Sequence, residues 1–70
     1  MASEVVTMNI GNNIRLLRIQ KGLNQKQLAE RSGISPSYLC DLEKGRFAGS
    51  IRVLQCIATA LNVCVSELLR

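Results

Sequence analysis

The segment Asn24–Gly45, NQKQLAERSGISPSYLCDLEKG, predicts two short helices separated by a tight turn. Its first residue is a good N-cap, and Gln27 follows at the spacing of a capping box. Gly33 ends the first helix, because glycine adopts a left-handed backbone at little cost. Ser35 caps the second helix, and Pro36 lies in its first turn, where no backbone N–H is needed. Two helices joined in this way form a helix-turn-helix, and we expect the second helix to be exposed.

Helical patterns also flank this segment. Upstream, apolar residues at helical spacing predict a helix from Ile10 to Lys21. Downstream, Ser50 caps a predicted helix from Ile51 to Leu61, and the apolar residues from Val63 to Leu69 predict a short final helix. The chain therefore reads as one all-α domain over residues 9–70.

Residues 1–8 show neither capping nor turn signals, so we expect a flexible N-terminal arm. This arm nevertheless contains the apolar residues Val5, Val6 and Met8. Packing of this arm on a partner subunit is therefore an open alternative to a frayed terminus.

Composition narrows the possible functions. The 70 residues contain no histidine, which removes Ser/His and Cys/His catalysis and histidine-bound metals. The three cysteines, Cys40, Cys56 and Cys64, show no CxxC spacing, so we expect reduced thiols, no metal site and no catalytic site. Nine Lys and Arg against five Asp and Glu give a net charge of +4, which suits a polyanionic partner. Neither a signal peptide nor a membrane span is visible, and we expect a cytoplasmic protein without a cofactor.

Three segments in sequence order, GLNQKQLAERSGIS, YLCDLEKG and IRVLQCIATALNV, resemble the phage repressor/Cro class of helix-turn-helix proteins, also called the Xre-type family. The similarity extends from about Ile10 to Leu69. It implies a five-helix, lambda-repressor-like DNA-binding domain with a central helix-turn-helix.

The second helix of the motif is the candidate for the DNA major groove, which is wide enough for one helix. Its outward residues at the base edges are predicted to be Pro36, Ser37 and Asp41. Pro36 offers only apolar contact, whereas Asp41 is able to accept a hydrogen bond from a cytosine amino group. Balancing a nearby Lys or Arg charge is the alternative role for Asp41.

Phosphate contacts are expected at both ends of the motif, because helix N-termini and basic side chains bind anions. In the family, the residue matching Gln25 contacts a phosphate, and plain solvent exposure is the alternative. For Tyr38 the choice lies between a phosphate contact and shielding of the helix. The complete predicted phosphate set is Gln25, Lys26, Tyr38, Lys44, Arg46, Ser50 and Arg52.

The resemblance also implies a buried ion pair between Arg18 and Glu43, which ties the first helix to the end of the second motif helix.

We expect a sequence-specific transcriptional regulator, a repressor or controller, that binds double-stranded DNA as a homodimer on a palindromic operator. The predicted dimer residues are Val65, Leu68 and Leu69. The alternative is an antitoxin-type module that masks a partner protein with an apolar surface.

Overall fold

A computed structural model describes the backbone of residues 2–69 and the side chains of residues 10–69. This part of the chain contains four α-helices and no strand: α1 (Ala2–Gln20), α2 (Gln25–Ser32), α3 (Pro36–Glu43) and α4 (Ile51–Leu61). A 3-10 helix, Val65–Leu68, follows them. The all-α class and the central helix-turn-helix are confirmed.

The short final helix that the sequence predicts is present as a 3-10 helix of four residues rather than as an α-helix, so the described residues contain four α-helices instead of five. Cys64 precedes this turn, and its side chain makes no capping hydrogen bond. A thiol is a weak acceptor, so the element begins without the cap that a serine would supply.

The first helix begins earlier than the sequence pattern predicts. Its backbone is helical from Ala2 rather than from Ile10. Residues 2–9 lack a capping signal, but they also contain no proline or glycine that would interrupt a helix. The side chains of Val5, Val6 and Met8 lie outside the described residues, so the flexible arm and its packing on a partner stay predictions.

Local capping fixes both motif helices as expected. The backbone N–H of Gln27 donates to Asn24 Oδ1 at 2.7 Å, and that of Asn24 donates to Gln27 Oε1 at 2.9 Å. Gly33 has a left-handed backbone at φ 74°. Ser35 Oγ accepts from the Tyr38 N–H at 3.1 Å. The helix ends that flank the α2–α3 turn are therefore set by residues within the motif itself.

The hydrophobic core lies among all five elements, and its fully buried large side chains are Ile14, Leu28, Leu39, Leu42, Ile57, Leu61 and Leu68. The position of Leu68 corrects one predicted dimer residue. A side chain with 0% exposure has no surface left for a partner, and this leucine instead fastens the C-terminal turn to the core.

The helix α1 crosses the end of α3 at Gly11. A β-carbon built on Gly11 would meet the backbone carbonyl oxygens of Leu42 and Glu43, the latter at 2.8 Å. Backbone atoms cannot move aside as a flexible side chain would. Gly11 thus permits the close approach that holds the end of α3 against α1, although glycine weakens the helix locally.

Gly11→Ala tests this close approach. Ala favours an isolated helix by about 1 kcal/mol over Gly, but overpacking against a backbone costs about 1–3 kcal/mol. We expect lower stability in urea unfolding. Asn12→Ala, at an exposed neighbouring position of α1, is the control and should leave stability nearly unchanged or raise it slightly. A Gly11→Ala protein as stable as the parent would contradict the tight crossing.

Candidate nucleic-acid interface

The second helix of the motif, α3, has one buried face and one open end. Leu39 and Leu42 are completely buried, which fixes the rotation of the helix about its axis. Pro36 and Ser37, in the first turn, are exposed. The structure therefore leaves these two side chains accessible to an external ligand, whereas contact with DNA bases stays a prediction.

Asp41 is partly exposed and lies near a basic side chain. Its Oδ1 is 3.6 Å from Arg46 Nε, and the two side chains are 42% and 64% exposed. An exposed pair of this kind contributes about 0–1 kcal/mol. The charge-balancing alternative is thus present in the free protein, and contact between Asp41 and a base would have to compete with Arg46.

Tyr38 packs against Phe47, a contact that the sequence does not predict. Its ring centroid lies 4.9 Å from that of Phe47, with an interplanar angle of 51°. Such tilted pairs contribute about 0.5–1.5 kcal/mol beyond their burial. The contact joins the first turn of α3 to the segment that follows the helix, and nothing in the local spacing of the two residues signals it.

The ends of the motif carry the other predicted phosphate residues. Lys26 is exposed in the first turn of α2, and Lys44, Arg46 and Arg52 are exposed after α3. Ser50 Oγ accepts from the Val53 N–H at 3.2 Å, so the hydroxyl caps α4 and keeps its own proton for another acceptor.

The buried ion pair implied by the family resemblance is present. Arg18 Nε donates to Glu43 Oε2 at 2.8 Å, and Arg18 Nη2 donates to Oε1 at 3.2 Å. Arg18 Nη1 also donates to the Leu23 carbonyl at 2.9 Å. The Arg18 and Glu43 side chains are only 12% and 2% exposed. This two-pronged geometry links α1, the α1–α2 turn and the end of α3.

Gln25 joins the same cluster, which sequence reasoning missed. Its Nε2 donates to Glu43 Oε1 at 3.0 Å, across 18 residues of sequence. Gln25 is half-buried as a result, so plain solvent exposure does not describe its environment. No local pattern signals a hydrogen bond over this separation.

Some apolar side chains outside the motif are also exposed. Of the predicted dimer residues, Leu69 is 40% exposed and Val65 is half-buried. Ile51, at the start of α4, is 61% exposed and was not predicted to be functional. Its exposure could have been suspected from the pattern, since it lies outside the core face of α4.

The described residues show neither a metal centre nor a membrane span. Side chains 10–69 form no group of three or more His, Cys, Asp or Glu residues placed to hold a metal ion. Within residues 2–69, no helix combines the length and the apolarity that crossing a bilayer requires.

Glu43→Ala tests the structural role of the ion pair. It leaves the buried Arg18 guanidinium without its counter-ion, which costs about 3–5 kcal/mol. We expect a large fall in the melting temperature measured by circular dichroism. Asp41→Ala, which removes an exposed carboxylate from the same helix, should shift it little. Equal small shifts for both variants would refute the stabilising role of Glu43.

Comparison with known proteins places this geometry in a family. A helix-turn-helix family model matches residues 14–68. The immunity repressor of Bacillus phage phi105 is 39% identical over 61 residues, covering 87% of this chain and 42% of the repressor. The HTH-type transcriptional regulator y4dJ of Sinorhizobium fredii is 42% identical over 59 residues, covering 84% of this chain and 77% of the regulator. The phage immunity repressor and several other curated relatives are about twice as long as the segment that they share with this chain.

Solved structures agree with the sequence relatives. The restriction-modification controller protein C.AhdI of Aeromonas hydrophila superposes with a TM-score of 0.84 at 36% identity, covering 94% of this chain and 97% of the controller. The clp gene regulator ClgR of Corynebacterium glutamicum superposes with a TM-score of 0.85, also at 36% identity, over 91% of this chain and 83% of that chain. The chain belongs to the Xre-type helix-turn-helix family of transcriptional regulators.

Proposed function

We propose that this protein is a sequence-specific DNA-binding repressor or controller of transcription. The observation that carries the proposal is the exposed first turn of α3 on a helix whose opposite face is fully buried. A helix held in this way is able to enter the major groove as a rigid element and to present Pro36 and Ser37 to base edges. Asp41 contributes to base recognition when its carboxylate leaves Arg46 and accepts a hydrogen bond from a cytosine amino group.

Phosphate contacts on both sides of α3 provide most of the affinity in this proposal. The first turn of α2 supplies Gln25 and Lys26, and the segment after α3 supplies Lys44, Arg46 and Ser50. Arg52, the second residue of α4, is an exposed cation and belongs to the same proposed phosphate set. The Tyr38 hydroxyl contributes to the same set, while its ring packs on Phe47. These groups fix the register of α3 on the duplex without reading its sequence.

We propose that the protein binds DNA as a homodimer, because one recognition helix reads only a few base pairs, too few to select an operator. A two-fold dimer would read two half-sites about one helical turn apart in a palindromic operator. We place the dimer contact on exposed apolar surface at Val65 and Leu69, with Ile51 as a further candidate.

The same exposed apolar side chains favour one other candidate function. Ile51 and Leu69 would also suit an antitoxin-type module that masks a partner protein. The two functions differ in their response to salt. Binding through phosphates weakens steeply as salt rises, whereas an apolar protein interface responds little.

Fluorescence anisotropy with DNA from upstream of the protein's own coding sequence tests the proposal. We expect binding that exceeds binding to random duplex competitor and that weakens steeply between about 50 and 200 mM salt. If no duplex is bound above random competitor, the regulator proposal fails and the antitoxin-type function is favoured.

Arg46→Ala probes the phosphate set. Loss of one phosphate contact should weaken binding to all sequences alike and reduce the slope of log K against log salt by about one. Arg31→Ala is a matched control, because it removes the same charge from an exposed position at the end of α2. If the two variants bind equally well, Arg46 makes no phosphate contact.

Ser37→Ala and Asp41→Ala probe base recognition. Each should change the preferred sequence recovered by selection from a random pool more than it changes affinity for mixed DNA, because base contacts specify and phosphate contacts position. Ser66→Ala, at an exposed position of the C-terminal turn, is the control. Recovery of the parental motif with both test variants would place sequence recognition elsewhere.

A further inference from the structure

We propose that Glu43 is a positioning residue that orients the Gln25 amide toward a DNA phosphate. The inference rests on the proposed function and assigns to the buried ion pair a second role besides stability. Glu43 is the last residue of α3 and Gln25 the first of α2, so their hydrogen bond links the end of the recognition helix to the predicted phosphate site.

The chemistry of the carboxylate fixes which end of the amide faces inward. Glu43 forms a charged pair with Arg18 and, as a carboxylate, only accepts hydrogen bonds. Its Oε1 receives Gln25 Nε2 at 3.0 Å and Arg18 Nη2 at 3.2 Å. The carbonyl end of the Gln25 amide could not make this bond. The amide nitrogen is therefore held in place, and its second N–H is left for another acceptor.

The start of α2 also offers backbone hydrogen-bond donors beside the Gln25 side chain. The first four backbone N–H groups of a helix lack a partner within the helix. In α2, Asn24 and Gln27 satisfy two of these groups through each other's side chains. The capping box does not involve the other two backbone N–H groups, those of Gln25 and Lys26. A phosphate there would receive two backbone N–H groups together with the oriented side-chain amide.

Charge neutralisation by Arg18 makes this arrangement compatible with DNA. An unpaired carboxylate beside a phosphate would repel it. Arg18 donates to both oxygens of Glu43, so the pair has no net charge. Glu43 is thereby able to orient Gln25 without opposing the ligand.

A double-mutant cycle on Gln25 and Glu43 separates positioning from stability. The variants are Gln25→Ala, Glu43→Gln and their combination, titrated by anisotropy with a mixed-sequence duplex of about 30 base pairs, because phosphate contacts do not depend on sequence. Measurements are made at a temperature where circular dichroism shows every variant folded. Glu43→Gln preserves shape but presents both a donor and an acceptor, so it no longer dictates the orientation of Gln25.

We expect Gln25→Ala to weaken binding about fivefold, the value of one ordinary hydrogen bond. Glu43→Gln also leaves the Arg18 charge without its counter-ion, which favours a phosphate, so positioning is measured by the coupling of the two variants and not by the affinity of Glu43→Gln alone. In the Glu43→Gln background, Gln25→Ala should change binding little, because Glu43 acts through Gln25. A loss of about fivefold in both backgrounds would overturn the positioning role.

Lys26→Ala provides the matched control cycle. Lys26 is exposed next to Gln25 and has no hydrogen bond to Glu43 in the described part of the chain. Its loss should multiply with that of Glu43→Gln, as expected for independent sites. Coupling of equal size in both cycles would indicate a general distortion of α2 and would also overturn the proposal.

The unsubstituted protein supplies a second readout if Glu43→Gln fails to fold. Nitrogen-15 NMR resolves the two side-chain N–H protons of Gln25. On addition of the same duplex we expect a larger shift for one proton than for its partner, which remains bonded to Glu43. Equal shifts, or none, in a protein that binds the duplex would refute positioning alone. Failure of the unsubstituted protein to bind any duplex would instead refute the proposed function.

Discussion

The buried contact between Arg18 and Glu43 is the constraint on which the rest of the structure depends. It joins α1 to the end of α3 across 25 residues, with both charges largely removed from water. Burial of a pair is not by itself a source of stability, because desolvation offsets the attraction. Its value here is geometric, since two parallel hydrogen bonds restrict how the two helices lie against each other.

The backbone contact at Gly11 complements this pair. Glycine lets α1 approach the carbonyl groups at the end of α3, while the arginine holds the side chain of the same terminal residue. One end of α3 is thus fixed against α1, and the other end, at Pro36 and Ser37, remains exposed. A recognition helix needs this combination, because affinity and base discrimination both require a helix that does not tilt when it meets DNA.

Local features of the fold could be read from the sequence, and long-range ones could not. The caps at Asn24, Ser35 and Ser50 depend on neighbouring residues and occur as predicted. The inward position of Leu68 was missed, because apolar spacing identifies a face but not what covers it. The Arg18–Glu43 pair became predictable only through the family resemblance.

The candidate site divides in the same way. Exposure of the first turn of α3 follows from its amphipathic pattern, with Leu39 directed inward. The contact of Tyr38 with Phe47 and the bond of Gln25 to Glu43 required coordinates, because each joins residues that lie apart in sequence and have no local signature. These contacts matter to the proposed function because they restrain the side chains of Tyr38 and Gln25, for which the sequence alone indicates only possible hydrogen-bond donors to phosphate.

Mapping of backbone amide shifts in the nitrogen-15-labelled protein, during titration with duplex DNA, tests the central claim most directly. The claim predicts that the largest shifts occur in the first turns of α2 and α3 and across residues 44–52. Shifts confined to the surface around Val65 and Leu69, or no shifts with any duplex, would contradict it.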